Sequence, residues 1–249
     1  IGPALELRER LKEKDDLKEI DKINQNSKQL LRLVNQLLDL SKLEANKLPV
    51  NIEQIDIVKS IKQIIENLKP LAANKGINLI FEYPIEKLKI LFDRDILEKI
   101  LNNLITNSIK FSESGCMIDV RLDVSTKSRE FYINVTDNGH GIPKEEIRSI
   151  FDGFYRSSFT KFEQGYGIGL AYIKELVNLV NGNIEVSSEL KQGTRFKIRF
   201  PLTLADIILE NDLEENIKDV VEPVIPEEVR EESDGKKIIL VIEDNKEIR

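Results

Sequence analysis

The chain of 249 residues is long enough for one large domain or two ordinary ones, each with its own hydrophobic core. Its 44 acidic residues outnumber its 37 basic ones, and the resulting net charge of −7 argues against a general nucleic-acid binder. A single cysteine excludes an internal disulfide framework and a cysteine-rich metal site, and no apolar run approaches the roughly 20 residues of a membrane-spanning helix.

The first predicted element is an amphipathic helix from Leu17 to about Leu43. Its apolar side chains fall on a three-four ladder formed by Ile20, Ile23, Leu30, Val34 and Leu37. This spacing is typical of a seam that packs against other helices in a hairpin or bundle, although an ordinary amphipathic helix explains it as well. Because leucines before residue 12 suit the end of an earlier helix, the sequence predicts a charged turn over residues 12–16.

Residues 49–203 combine helical and strand patterns and predict an α+β domain. Helices are predicted over 57–71, 95–111 and 169–180, and strands over 77–81, 118–124, 131–135, 184–186 and 196–200. Two pairs of strands are joined by short polar turns and are therefore predicted hairpins. Together, these elements predict an antiparallel-rich sheet with helices on one face.

The composition changes after this predicted domain. Residues 204–235 contain 12 acidic and 2 basic residues, a net charge of 2 − 12 = −10, together with Pro223 and Pro226. Such a segment is predicted to be an extended, self-repelling linker. Residues 236–249 begin with an apolar run typical of a buried strand and continue into Glu243 and Asp244, which predicts the start of a further domain.

The first candidate functional motif lies on the predicted helix over 95–111. Asn103, Asn107 and Lys110 are four and three residues apart and therefore share one helical face. An amide oxygen can ligate a hard cation such as Mg²⁺, and a lysine can neutralise phosphate. An ordinary solvated helix face is the alternative for these residues.

Two glycine-rich motifs follow along the chain. Asp137-Asn138-Gly139-His140-Gly141-Ile142 ends a predicted strand, so its carboxylate can accept a hydrogen bond from an exocyclic amine while the glycines let the backbone approach a flat ligand. An Asx turn is the alternative. Gly165-Tyr166-Gly167-Ile168-Gly169-Leu170 opens a predicted helix, whose N-terminal N–H groups suit phosphate. It does not have the spacing of a dinucleotide-binding fingerprint.

In this order, the three motifs resemble the nucleotide-binding boxes of sensor histidine kinases, whose fold is shared with gyrase B, Hsp90 and MutL. Residues 103–111 resemble the N box, residues 137–141 the G1 box and residues 165–170 the G2 box. Residues 150–156 resemble the F box of histidine kinases, and residues 193–196 the last glycine-threonine motif. The resemblance implies a Bergerat-type α/β sandwich of class α+β, preceded by a partial helical hairpin of a dimeric four-helix bundle.

The resemblance also implies that ATP and Mg²⁺ bind at these boxes. Asp137 would read the adenine amine, Asn103 and Asn107 would hold Mg²⁺, and the catalytic residues would be Asn107, Lys110 and Arg156. Lys110 and Arg156 would neutralise phosphate oxygens, which is what phosphoryl transfer asks of a protein. The other expected nucleotide contacts are Phe111, Gly139, Gly141, Ile142, Phe154, Gly165, Tyr166, Gly167, Ile168, Gly169, Leu170 and Thr194.

Residues 144–168 would form a mobile lid over ATP. Core packing is the alternative role for Phe151 and Phe154 in this segment. The implied domains are a partial dimerisation and phosphotransfer hairpin over 1–48, a catalytic domain over 49–203, the linker over 204–235 and the start of a truncated receiver domain over 236–249. The implied partners are a second copy of the chain and a receiver domain in cis or a separate response regulator, with no nucleic acid and no membrane segment.

By this resemblance the chain is the ATP-binding core of a cytoplasmic hybrid sensor histidine kinase, which transfers the γ-phosphate of ATP to a histidine and then to a receiver aspartate. The phosphoacceptor is expected upstream of Ile1, since the single histidine, His140, lies in a glycine-rich loop. We therefore expect ATP binding without self-phosphorylation on histidine. One alternative is an ATPase like gyrase or Hsp90, disfavoured because Asn103 stands where its catalytic glutamate is expected. The other is a degenerate kinase that serves as a scaffold.

Overall fold

A computed structural model describes residues 14–45, 47–125, 127–155 and 166–202. The helices of this described part are α1 (Lys14–Glu44), α2 (Ile57–Asn74), α3 (Arg94–Phe111) and α4 (Gly169–Leu179). Its strands are β1 (Glu53–Asp56), β2 (Asn78–Glu82), β3 (Lys89–Phe92), β4 (Met117–Ser125), β5 (Glu130–Asp137), β6 (Asn183–Glu189) and β7 (Gly193–Pro201). Every described residue belongs to one compact unit.

The main sheet has five strands in the order β2-β4-β5-β7-β6. The β2–β4 pair is parallel, and the other neighbouring pairs are antiparallel. Side chains of β5 and β7 alternate between the buried face and a more open face, as a sheet covered on one side requires. This arrangement confirms the predicted antiparallel-rich sheet with helices against one face.

Helix α3 positions the first candidate motif because one of its sides belongs to the core. Its buried residues are Ile96, Leu97, Ile100, Leu101, Leu104, Ile105, Ser108 and Ile109. The Asp93 carboxylate fixes the start of the helix, accepting hydrogen bonds from the Ile96 N–H at 3.0 Å and the Asn51 N–H at 2.7 Å. At the other end, the Lys75 ammonium donates to the Lys110 carbonyl at 2.6 Å. With both ends held, the opposite side of α3 presents its polar residues in a fixed register.

Several predicted element boundaries shift in the structure. Helix α1 begins at Lys14, so residues 14–16 are helical and do not form the predicted turn. None of these three residues is a glycine or proline, the residues that most disfavour a helix. Helix α2 continues past its predicted end at residue 71, since Ala72 and Ala73 favour helix until Gly76 takes a φ of 71°.

Strands β1 and β3 are not predicted by the sequence analysis. Each has four residues, which is too short for a period-two pattern to stand out. They pair with each other in a separate antiparallel sheet. The first helix of the predicted hairpin, the linker over 204–235 and the receiver strand over 236–249 lie outside the described residues. In the described part of the chain, none of the helices is both long and apolar enough to cross a membrane.

Candidate nucleotide-binding site

The centre of the candidate site is the carboxylate of Asp137, the last residue of β5. Oδ1 accepts the backbone N–H of Gly139 at 3.1 Å and that of Thr194 at 3.2 Å, while Oδ2 accepts the Ser108 hydroxyl at 2.8 Å. Asp137, Ser108 and Thr194 are all buried. A loop, a helix and a strand from distant parts of the chain therefore converge on one carboxylate.

This burial changes the protonation equilibrium of Asp137. Burial raises the pKa of its carboxyl above the ordinary value, and the opposing hydrogen bonds from Ser108, Gly139 and Thr194 and the nearby His140 offset only part of the increase. All three hydrogen-bonding partners act as donors, which matches the acceptor-only ionised carboxylate. The site is therefore built to present a hydrogen-bond acceptor.

The loop after Asp137 is fixed by contacts with α3 and the β6–β7 hairpin. The His140 N–H donates to the Phe111 carbonyl at 3.2 Å, and the Ile142 N–H donates to the Ser188 hydroxyl at 2.7 Å. Gly141 has a φ of 71°, and a Cβ there would lie 2.0 Å from the Glu189 carbonyl oxygen. Glycine is thus required at 141 by the close approach of the β6–β7 turn.

The side chains of Asn103 and Asn107 both lie close to Gly169, the first residue of α4. A Cβ on Gly169, the first residue of that helix, would lie 3.3 Å from Asn103 Oδ1 and 4.0 Å from Asn107 Nδ2. Ile168 provides no side-chain cap to α4 in the described part of the chain, and such first-turn N–H groups are open to an anionic ligand. Nearby, the Lys110 ammonium lies 4.5 Å from the centre of the Phe111 ring.

Helix α1 reaches this end of the site. Gln36 Nε2 donates to Asn103 Oδ1 at 3.1 Å, so the amide oxygen proposed for a metal is hydrogen-bonded to α1. One turn further on, the Asp39 carboxylate accepts from Lys99 at 2.9 Å and from the Tyr172 hydroxyl at 2.6 Å. Burial alone would raise the pKa of Asp39, but these two hydrogen bonds and the Lys99 charge hold it below the ordinary value. The polar contact therefore links α1 to both α3 and α4.

The two phenylalanines of the predicted F box have different roles. Phe151 packs on the core, edge to face with Phe196 at a centroid distance of 6.5 Å. Phe154 is 70% exposed and has a φ of 65°, and its N–H donates to the Gly167 carbonyl at 3.0 Å. Core packing therefore accounts for Phe151 but not for Phe154, whose side chain stays available at the edge of the site.

The predicted residues fall into two groups in the structure. Asp137, Gly139, Gly141, Ile142 and Thr194 form one group, and Asn103, Asn107 and Gly169 form the second. Tyr166 is exposed, whereas Ile168 is buried and Leu170 packs partly against the core. Arg156 and Gly165 lie outside the described residues.

The sequence analysis missed two serines that connect the site. Ser108 hydrogen-bonds Asp137 from α3, and the Ser188 hydroxyl contacts the Gly193 carbonyl at 2.8 Å and the Thr194 hydroxyl at 2.9 Å. The signal for Ser108 is a polar residue at a position whose helical neighbours are core residues. No comparable sequence signal marks Ser188, because it lies on the edge strand β6, where polar residues are common.

Comparison with known proteins supports the resemblance to histidine kinases. The family described as "Histidine kinase-, DNA gyrase B-, and HSP90-like ATPase" matches residues 92–204. The chain is 32% identical over 192 residues to hybrid signal transduction histidine kinase D of Dictyostelium discoideum, covering 75% of this chain and 12% of that protein. It is 34% identical over 182 residues to the sensor histidine kinase WalK of Bacillus subtilis, covering 72% of this chain and 30% of WalK.

Further matches extend over more of the chain. The autoinducer 2 sensor kinase/phosphatase LuxQ of Vibrio parahaemolyticus is 28% identical over 257 residues, 98% of this chain and 28% of LuxQ. The chain thus spans less than a third of the length of each curated relative described. Full-length ShkA, solved in complex with AMPPNP, is similar with a TM-score of 0.68 and 27% identity, covering 80% of this chain and 42% of ShkA.

Proposed function

Because residues 92–204 belong to the histidine kinase-, gyrase B- and HSP90-like ATPase family and the relatives described are histidine kinases, we propose that the chain carries the ATP-binding catalytic core of a hybrid sensor histidine kinase. The observation that carries the proposal is the buried Asp137 carboxylate, held by donors from α3, the following loop and β7. The solved relative with AMPPNP supports a nucleotide as the ligand.

In this proposal Asp137 accepts a hydrogen bond from the 6-amino group of adenine. A carboxylate that already accepts three hydrogen bonds retains about one further lone-pair position for a ligand. Leaving that position unpaired in a buried site is unfavourable, so a base without a suitable donor is rejected. Gly139, Gly141, Ile142 and Thr194 fix the surroundings of this carboxylate.

Asn103 and Asn107 would hold Mg²⁺ bound to the triphosphate. Amide oxygens are hard, neutral ligands that suit Mg²⁺. In the described part of the chain, no group of three or more His, Cys, Asp or Glu residues could hold a metal ion. The two amides therefore fit a cation whose anionic ligands are phosphate oxygens. A bound Mg²⁺ would neutralise charge on the phosphates during transfer.

The phosphate chain would run toward the beginning of α4, with Lys110 and Arg156 as its cationic neighbours. Phe111 would flank the nucleotide, and Phe154, Gly165, Tyr166, Gly167, Ile168, Gly169 and Leu170 would belong to the lid side of the site. Gly167 has a φ of 73°, and a Cβ there would lie 2.3 Å from the Tyr155 carbonyl oxygen. Glycine at 167 thus allows the backbone there to approach Tyr155, at the other end of this part of the proposed lid.

The γ-phosphoryl group would be transferred to an imidazole nitrogen of a histidine outside the 249 residues. The bond between the γ-phosphorus and the oxygen that bridges it to the β-phosphate breaks, a P–N bond forms and ADP leaves. His140 is unsuited to this role because its Nδ1 lies 2.6 Å from the Phe111 carbonyl and its Nε2 lies 3.1 Å from the Glu113 carboxylate. A receiver aspartate, in cis or on a response regulator, would then accept the phosphoryl group, in keeping with the hybrid relatives.

Homodimerisation would occur through α1. Its exposed large apolar residues are Ile23, Leu30, Leu31, Val34, Leu37 and Leu38. Such a stripe is expected to be covered by other helices of a four-helix bundle. We expect Leu30→Glu to shift the chain from dimer to monomer in light scattering, whereas Leu190→Glu, at an exposed leucine away from α1, leaves the dimer intact. A monomeric native chain would contradict the assignment.

A cytoplasmic location follows from the proposed substrate, because ATP and response regulators are cytoplasmic.

Calorimetry with Mg-ADP and Mg-AMPPNP tests the proposal. The native chain should bind both, and Asn107→Asp should weaken binding by about 10-fold or more because a carboxylate replaces an amide beside the phosphates. Asn78→Asp, at an exposed asparagine on β2, is the matched control and should bind normally. No binding to the native chain would leave only a scaffold role.

Steady-state hydrolysis separates the kinase from a gyrase-like ATPase. Asn103 has no ionisable group to activate water, so we expect the ATP turnover to stay close to the uncatalysed background. Sustained turnover that is lost in Asn107→Asp would favour the ATPase.

A further inference from the structure

Ser108 is a buried polar residue on the core-facing side of α3, between the two halves of the site. Only 3% of its surface is exposed, and its hydroxyl donates to Asp137 Oδ2 at 2.8 Å. The two backbone donors to Asp137, from Gly139 and Thr194, both reach Oδ1. Ser108 is therefore the one described protein donor to the other carboxylate oxygen.

The position of this hydrogen bond determines what Oδ2 offers to a ligand. While the Ser108 hydroxyl donates to it, Oδ2 carries negative charge and acts as an acceptor. If Oδ2 were protonated, it would become a donor. A 6-aminopurine matches an acceptor at this place, whereas a 6-oxopurine places its own carbonyl lone pairs against it.

We infer that Ser108 is a positioning residue that makes the site selective for 6-aminopurine over 6-oxopurine nucleotides by keeping Asp137 Oδ2 an acceptor. The inference rests on the proposed function, since it takes adenine to be read by Asp137. Ser108 lies within the stretch that resembles the N box, and the inference assigns it to discrimination between bases rather than to binding of the phosphates.

The protonation equilibrium of Asp137 supports the same role. Burial raises the pKa of this carboxyl, and the Ser108 hydrogen bond opposes the increase more strongly than the other partners do. Removing the hydroxyl would raise the pKa further. His140 is the other titratable group whose charge acts on Asp137, and it is retained in the variants described below.

A purely structural role for Ser108 makes a different prediction. A buried hydroxyl needs an acceptor, and Asp137 could serve only that need. In that case, replacing Ser108 would change the stability of the domain and weaken all nucleotides equally. The ratio of affinities for two bases is therefore the decisive measurement.

The test compares ADP with IDP, which differ at purine position 6, by calorimetry with Mg²⁺ on the native chain, Ser108→Ala and Ser108→Thr. We expect Ser108→Ala to bind ADP about 10-fold more weakly and IDP with little change, so that the ADP/IDP ratio falls by about 10-fold. Ser108→Thr retains the hydroxyl and should restore most of the ratio. ADP binding by Ser108→Ala should also decline at a higher pH than that of the native chain.

An unchanged ADP/IDP ratio in Ser108→Ala, or equal losses for both nucleotides, would overturn the inference. Asp137→Asn distinguishes this failure from failure of the proposed function. If Asp137→Asn loses ADP binding while Ser108→Ala keeps the native ratio, adenine is read by Asp137 without help from Ser108. If Asp137→Asn binds ADP normally, the adenine assignment itself is wrong.

Discussion

The proposed adenine end of the candidate site, formed by Asp137, Gly139, Thr194 and Ser108, is held by buried hydrogen bonds. At the phosphate end, formed by Asn103, Asn107 and the start of α4, the Asn103 amide is instead hydrogen-bonded to Gln36 of α1. The Asp137 carboxylate is held by donors from α3, the following loop and β7, whereas a metal held by Asn103 would share its amide oxygen with Gln36 of α1. In the proposed function, base selection would therefore depend on contacts near Asp137, and phosphate binding would depend on where α1 lies.

The largest expected effect comes from adding a methyl group at Gly141, in the loop after Asp137. A methyl group there would overlap the Glu189 carbonyl oxygen and would require an unfavourable positive φ. We expect Gly141→Ala to destabilise the domain by about 3 kcal/mol and to weaken ADP binding by about 100-fold. Thermal unfolding and calorimetry measure both effects.

Gly153→Ala is the matched control, because a Cβ there meets nothing within 4 Å. It should unfold and bind ADP like the native chain. A Gly141→Ala variant that also behaves like the native chain would mean that the loop after Asp137 is not fixed by the β6–β7 turn.

The pH dependence of ADP binding provides the second test of the adenine end. The folded-state pKa of Asp137 is raised above its ordinary value of 3.8, so the native state takes up the proton at a higher pH than the unfolded chain. Affinity for ADP should therefore fall as the pH decreases toward the raised pKa, by about 10-fold per pH unit below it. Between the ordinary and the raised pKa, the unliganded domain should become less stable with increasing pH.

Binding measured from pH 8 downward, with circular dichroism to verify folding, checks this sign. Asp137→Asn has no carboxyl to titrate and should give a flatter profile. An affinity for ADP that increases as the pH falls would contradict a carboxylate acceptor.

The sequence indicates the loop after Asp137 better than the surroundings of Asn103, because the loop is local. Asp137 and its glycines are consecutive, and their chemistry follows from a strand end and a turn. By contrast, the Gln36–Asn103 contact joins residues 67 positions apart, and no periodicity in α1 marks Gln36 as a partner of α3. Ser108 was missed for a related reason: its acceptor, Asp137, lies 29 residues further along the chain on β5, and the position of Ser108 among core residues of α3 shows only that it is buried.

The contact between α1 and the domain should also contribute to stability through Asp39. Because the folded-state pKa of Asp39 is lowered, its contribution is present above the ordinary value of 3.8 and is lost as the pH falls below it. We expect Asp39→Asn to reduce the free energy of unfolding by about 1–2 kcal/mol at neutral pH, since it weakens hydrogen bonds to Lys99 and the buried Tyr172. Urea denaturation at pH 7 measures this loss.

A double-mutant cycle with Tyr172→Phe isolates the hydroxyl contact, which should give a coupling of about 1 kcal/mol. Additive losses would mean that Asp39 and Tyr172 do not interact in solution.

The smallest expected effect is a gain of affinity when the contact with the phosphate end is removed. Gln36→Ala deletes a neutral hydrogen bond to Asn103, which is worth about 0.5–1.5 kcal/mol, and should strengthen binding of Mg-ADP by about 2- to 10-fold. ADP in the presence of a chelator should bind the variant and the native chain equally, because in the proposed function the metal, and not the nucleotide, would contact the Asn103 oxygen. Gln54→Ala, at an exposed glutamine on β1, should change neither affinity. Equal gains with and without Mg²⁺ would mean that α1 obstructs the nucleotide itself and not the metal ligand.

By linkage, Mg-ADP must in turn weaken the association of α1 with α3. This weakening can be followed as faster amide hydrogen exchange in α1.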